Sequence, residues 1–66
     1  MDNNILADAF ESNRKRFAGM TMEELRSKRA WLEVERDCAE LMGLHDRYHE
    51  CDFDLEVVNA ILRGIA

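Results

Sequence analysis

The sequence predicts an all-α protein of three helices: a long central helix, a short C-terminal helix folding back on it as an antiparallel hairpin, and a homodimer formed through the long helix. Three observations carry that prediction. Proline is absent and only Gly19, Gly43 and Gly64 interrupt a chain rich in helix formers, while the β-branched residues that favour strands are few. Trp31, Val34, Cys38, Leu41, His45 and Tyr48 follow one another in alternating steps of three and four, the spacing that lays side chains along one face of a helix. A chain of 66 residues has little core of its own, so a stripe of that length needs something to lie against.

The first helix is expected over residues 3–17. Asp2, Asn3 or Asn4 can accept from the free amides of its first turn, and Leu6, Phe10 and Phe17 share a side, with Ile5 and Ala9 beside them. Arg14, Lys15 and Arg16 fall in the last turn, where positive charge offsets the helix dipole. Gly19 stands where a helix C-terminus favours a residue free to turn left-handed.

The second helix is expected over residues 22–51. Thr21 followed three residues later by Glu24 forms a capping box, and Met20 and Leu25 occupy the positions of a hydrophobic staple. Glu24 with Lys28, Arg29 with Glu33 and Arg36 with Glu40 sit four apart and support an exposed helical face by about 0.3 kcal/mol each. Because the stripe keeps its phase across Gly43, the helix is expected to continue through it for about 30 residues, or ~45 Å, at a cost of about 1 kcal/mol relative to alanine there. A second seam of Leu25, Leu32, Ala39 and Met42 runs beside the first. One seam serves the intrachain core, which leaves the other for a second copy, and two-fold pairing is the commonest solution.

The third helix is expected over residues 55–64, capped by Asp52 or, better, by Asp54, which lets Phe53 and Val58 form a second staple. Leu55, Val58, Leu62 and Ile65 repeat the three-four rhythm, with Ile61 alongside.

Charge divides along the chain. Residues 1–32 carry six basic side chains against five acids, whereas residues 33–56 carry nine acids against Arg36 and Arg47 alone. The acidic half favours a basic partner and works against nucleic acid. The start, Met1-Asp2-Asn3-Asn4, lacks the positive charge of a signal peptide, and no apolar run approaches the ~20 residues of a membrane span. A cytoplasmic chain with both cysteines reduced is expected.

Catalytic and cofactor chemistry find little support. His45 and His49 are four apart, with Cys38, Cys51, Asp46, Asp52 and Asp54 nearby, which raises a zinc site. On a continuous helix, however, Cys38 lies ~10 Å from His45 along the axis and ~20 Å from Cys51, too far to share an ion or a disulfide. No metal or cofactor is therefore expected; Cys38 reads as a small buried packing residue and Cys51 as a helix-end residue. Ser12 and Ser27 are the only serines, and neither these nor any lysine or cysteine has a nucleophile's setting. The chain does not read as an enzyme.

Two kinds of macromolecular partner remain. Phe17-Ala-Gly-Met-Thr-Met-Glu-Glu-Leu25 looks like the turn of a helix-turn-helix protein, a resemblance confined to nine residues. It implies a DNA-binding regulator with Arg26, Lys28 and Arg29 toward the bases and Arg14 to Arg16 on phosphates. Against it, the second helix runs on into the acidic half, so nucleic acid is the competing partner and protein the leading one. The protein interface is expected at Trp31, Val34, Cys38, Leu41, His45 and Tyr48, with Arg29 and Glu35 as further partner contacts and Trp31 foremost, since tryptophan and tyrosine dominate interface energetics. Chains of this build resemble the small regulators and inhibitors encoded by bacteriophages and other mobile elements. That resemblance implies stoichiometric binding and blocking of a larger host protein, by helix-in-groove or helix-on-helix docking.

Overall fold

The computed structural model describes residues 2–64, with side chains from residue 8 onward. The roles expected of Asp2, Asn3, Asn4, Ile5, Leu6 and Ile65 lie outside the described side chains. Three α-helices form: α1 (Asp2–Ala18), α2 (Met22–Leu41) and α3 (His45–Leu62), and no strand occurs among the described residues.

The start of α2 is written locally. The Thr21 hydroxyl accepts from the Glu24 amide at 3.1 Å, and the Glu24 carboxylate accepts from the Thr21 amide at 2.9 Å. Two of the amides that a helix N-terminus leaves free are thereby satisfied by residues three apart.

The end of α2 departs from the sequence-based expectation. The continuous helix over 22–51 does not form: α2 ends at Leu41 with Met42 as its C-cap, and Gly43 takes φ +71°. The Gly43 amide donates to the Glu40 carbonyl at 3.2 Å and the Leu44 amide to the Ala39 carbonyl at 2.8 Å. This pair of bonds is a Schellman motif, which satisfies carbonyls that the helix would otherwise leave unpaired and needs a left-handed residue at the glycine. The result is two helices of similar length, 20 and 18 residues, in place of a long helix and a short one over 55–64. A substitution separates the alternatives by sign. Gly43→Ala would stabilise a continuous helix by about 1 kcal/mol, but at φ +71° it is expected to destabilise by about 1–2 kcal/mol; urea melts of the two proteins read the difference.

Gly19, unlike Gly43, is not left-handed, since positive φ among the described residues is confined to Gly43 and Gly64. The chain leaves α1 by a turn in which the Met20 amide donates to the Phe17 carbonyl at 3.1 Å. Asp54 likewise caps nothing. It lies within α3, whose N-cap, Leu44, makes no side-chain hydrogen bond. Phe53 is not a staple residue either; it meets Phe10 of α1 edge-on, centroids 6.3 Å apart and planes at 78°.

The core is Phe17 from α1, Leu25 and Leu32 from α2, and Cys51, Leu55, Val57 and Val58 from α3. Both α1 and α2 pack on α3, α2 the more extensively. That arrangement explains the apolar character of α3 on two flanks: at 100° per residue Cys51, Leu55 and Val58 share one side, and Phe53 and Val57 lie on the other. Polar contacts fasten the same junctions. Asp54 receives the Asn13 amide at 2.9 Å and the Arg16 guanidinium at 3.0 Å, both from α1. Arg36 of α2 lies 3.6 Å from Asp52 of α3, and Arg47 of α3 bonds Glu35 of α2. Each is partly exposed and worth at most about 1 kcal/mol. The molecule is flat, 36 × 31 × 16 Å, with a radius of gyration of 12.3 Å, against about 10.8 Å for a compact 66-residue domain.

Candidate interaction face

α2 carries apolar residues on two separate faces. Leu25, Leu32 and Ala39 are buried, while Trp31, Val34 and Leu41 are 66%, 54% and 87% exposed and Cys38 is exposed with them. At 100° per residue the exposed set falls in a sector about 100° wide, roughly 150° around the helix from the buried set. Ser27 and Ala30, both exposed, fall in the same sector, so that face carries no charge from Ser27 to Leu41. Glu23 closes its N-terminal end. A shallow cleft of about 230 Å³ is lined by Ala30, Trp31 and Val34. Beyond the helix, Met42 and Leu44 extend the exposed apolar surface. Met42 does not join the inner seam, because the helix ends before it.

The break at Gly43 removes two members of the expected stripe. His45 and Tyr48 lie on α3, where His45 is exposed and Tyr48 half-buried, its ring edge-on to His49 with centroids 5.6 Å apart. Helical phase no longer aligns them with Trp31. Arg29 sits about 160° around α2 from Trp31 and cannot frame it, whereas Glu35 lies on the near flank with its carboxylate bound by Arg47.

The two cysteines exchange the roles expected of them. Cys38 is exposed and Cys51, in the middle of α3, is fully buried; both are free thiols. Burial pushes the Cys51 thiol up from its ordinary pKa, and the Arg47 guanidinium opposes part of that rise. Since the folded pKa is raised, the stability contributed by the neutral thiol is present below the ordinary thiol pKa and lost as pH rises through the folded value. At a dilution where the chain is monomeric, Ellman's reagent is expected to react at once with one thiol, Cys38, and with the second only as the protein opens; rapid loss of both would place Cys51 at the surface. With the helix broken, axial distance no longer separates Cys38 from the histidines, but among the described residues no three His, Cys, Asp or Glu side chains gather to hold a metal ion.

The basic residues of the DNA-binding reading are dispersed. Arg14 bonds Glu11, whose carboxyl it holds below the usual carboxylate range, and Arg16 lies over the Phe17 ring at 4.6 Å while pairing with Asp54. Arg26 is exposed, Lys28 and Arg29 are half-buried, and Arg26 and Lys28 point about 160° apart. Among the described residues no helix is long and apolar enough to cross a membrane. Comparison with protein-family models, with curated proteins and with solved structures finds no match to the chain, so a functional reading starts from the outward face of α2.

Proposed function

We propose that the chain is a non-catalytic protein-interaction module, working as a homodimer through α2 and binding a larger host protein in the manner of a small regulator or inhibitor of the kind mobile elements encode. One observation carries the α2 interface of this reading: the charge-free face from Ser27 to Leu41, with Trp31, Val34 and Leu41 more than half exposed, while the host protein is left the edges of that face and the acidic surface beside it. Contiguous apolar surface on a small chain is costly to leave in water, and when rimmed by polar residues it marks an interaction site. The framework is an antiparallel α2–α3 hairpin, supported by the link at residues 42–44 and the Arg47–Glu35 pair beside it. The acidic half, centred on the two facing helices, favours a basic patch on the host protein. Immobilised chain is expected to retain one protein from a lysate of its native host in a fixed ratio. Retention of nothing above a scrambled-sequence control overturns the inhibitor reading.

The dispersal of Arg26, Lys28 and Arg29 around α2, with Arg14 and Arg16 committed to Glu11 and Asp54, argues for a protein target over DNA. A duplex titration at low and moderate salt checks this, since phosphate contacts would appear as steep salt dependence.

A further inference from the structure

We infer that the outward face of α2 is covered by the same face of a second copy, running antiparallel about a two-fold axis at Val34. The inference rests on the dimer of the proposed function and specifies its geometry. Val34 is the midpoint of the charge-free stretch from Ser27 to Leu41, so an axis there lets each helix use the whole of it. Large side chains then meet small ones: Leu41 faces Ser27 of the partner subunit, Trp31 lies beside Cys38 of the partner subunit, and Val34 meets its own copy. A parallel pairing would instead stack Trp31 on its copy and Leu41 on its copy, leaving gaps at Ser27, Ala30 and Cys38 that forfeit dispersion contacts.

Charge points the same way. α2 has Glu23 and Glu24 in its first turn and no basic residue in its last. Parallel pairing sets these carboxylates beside their own copies, where like charges repel. Antiparallel pairing separates the two acidic ends by the length of the helix. Area is also sufficient. The exposed fractions of Trp31, Val34, Leu41 and Met42 place on the order of 500 Å² of apolar side chain on each chain, within the range of an interaction patch, so that pairing removes about 1,000 Å² in total, the lower end for a specific interface.

Cys38 makes the geometry testable. In the antiparallel pairing the two copies of Cys38 are ~12 Å apart along the axis, beyond the reach of a disulfide, whereas in a parallel pairing they would be side by side. The experiment measures mass by light scattering at micromolar concentration, then treats the native chain and the double variant Val34→Cys, Cys38→Ser with diamide, which takes up the two protons and two electrons of disulfide formation. Products are read on non-reducing gels, with circular dichroism to verify that the exposed substitutions leave the helices intact. A dimeric mass, no covalent dimer of the native chain and a covalent dimer of the variant are expected. A covalent native dimer through Cys38 overturns the antiparallel pairing, and a dimeric mass with neither cross-link overturns the use of this face. A monomeric mass overturns the pairing and the homodimer with it, while host-protein binding is judged separately by the lysate capture.

Discussion

Leu25→Ala is expected to remove most of the stability of this chain, and Leu41→Ala almost none. Both leucines stand on α2, 16 positions apart, and they differ in environment: Leu25 is 1% exposed and Leu41 is 87% exposed. Truncating a buried leucine loses its transfer free energy and leaves a cavity, together about 2–5 kcal/mol. A domain of this length has only about 3–10 kcal/mol in total. Leu25 belongs to the one core cluster that also holds Phe17 of α1 and Leu55, Val57 and Val58 of α3, so its loss weakens the core that joins the helices. At about 4–8 °C per kcal/mol for so small a chain, the melting temperature should fall by roughly 8–40 °C. Leu41→Ala, measured at a dilution where the proposed dimer would dissociate, should move it by no more than a few degrees. Thermal melts followed by circular dichroism check both, and similar shifts for the two variants would mean that the inward and outward faces of α2 are wrongly assigned.

The second large effect falls on association. Trp31→Ala is expected to leave helicity and the dilute-solution melt nearly unchanged, because the indole is 66% exposed in the single chain. The same change should weaken self-association at least about 30-fold, as befits an aromatic anchor worth 2 kcal/mol or more at the centre of an interface. Sedimentation equilibrium of the two proteins measures the ratio. The split between the two readouts is the informative part. A variant that loses its helices identifies Trp31 as a core residue, and one that associates as well as the parent removes the face from the interface. Host-protein capture by the same variant then reports whether the proposed target would be bound by the proposed dimer or would compete for its surface.

Much of α2 was legible from spacing alone. Thr21 and Glu24 announce its start because a capping box is made by residues three apart, without help from the rest of the fold. The separation of Leu25, Leu32 and Ala39 from Trp31, Val34, Cys38 and Leu41 is likewise a matter of helical phase. Gly43 shows where phase misleads. His45 and Tyr48 continue the three-four rhythm beyond it, and a pattern of offsets is the same whether the backbone runs on or turns through φ +71°. The signal that favoured a stop was the glycine itself, the residue most often found in the left-handed position after a helix. A stop at the glycine takes His45 and Tyr48 off the α2 stripe, whereas the contacts of Asp54 with Asn13 and Arg16 depend on how α1 packs on α3.

Sequence by itself determined the all-helical class, the capped start of α2 and the existence of two apolar seams on it, because each follows from interactions between residues three or four apart. Tertiary structure decided the rest. Which seam turned inward, and which cysteine went with it, depended on the apolar flank that α3 presents to α2. Cys51 lies on that helix beside Leu55 and Val58 and is buried, whereas Cys38 falls in the sector of Trp31 and stays in solvent. Burial is a property of what lies opposite a residue, and no spacing within one helix encodes it.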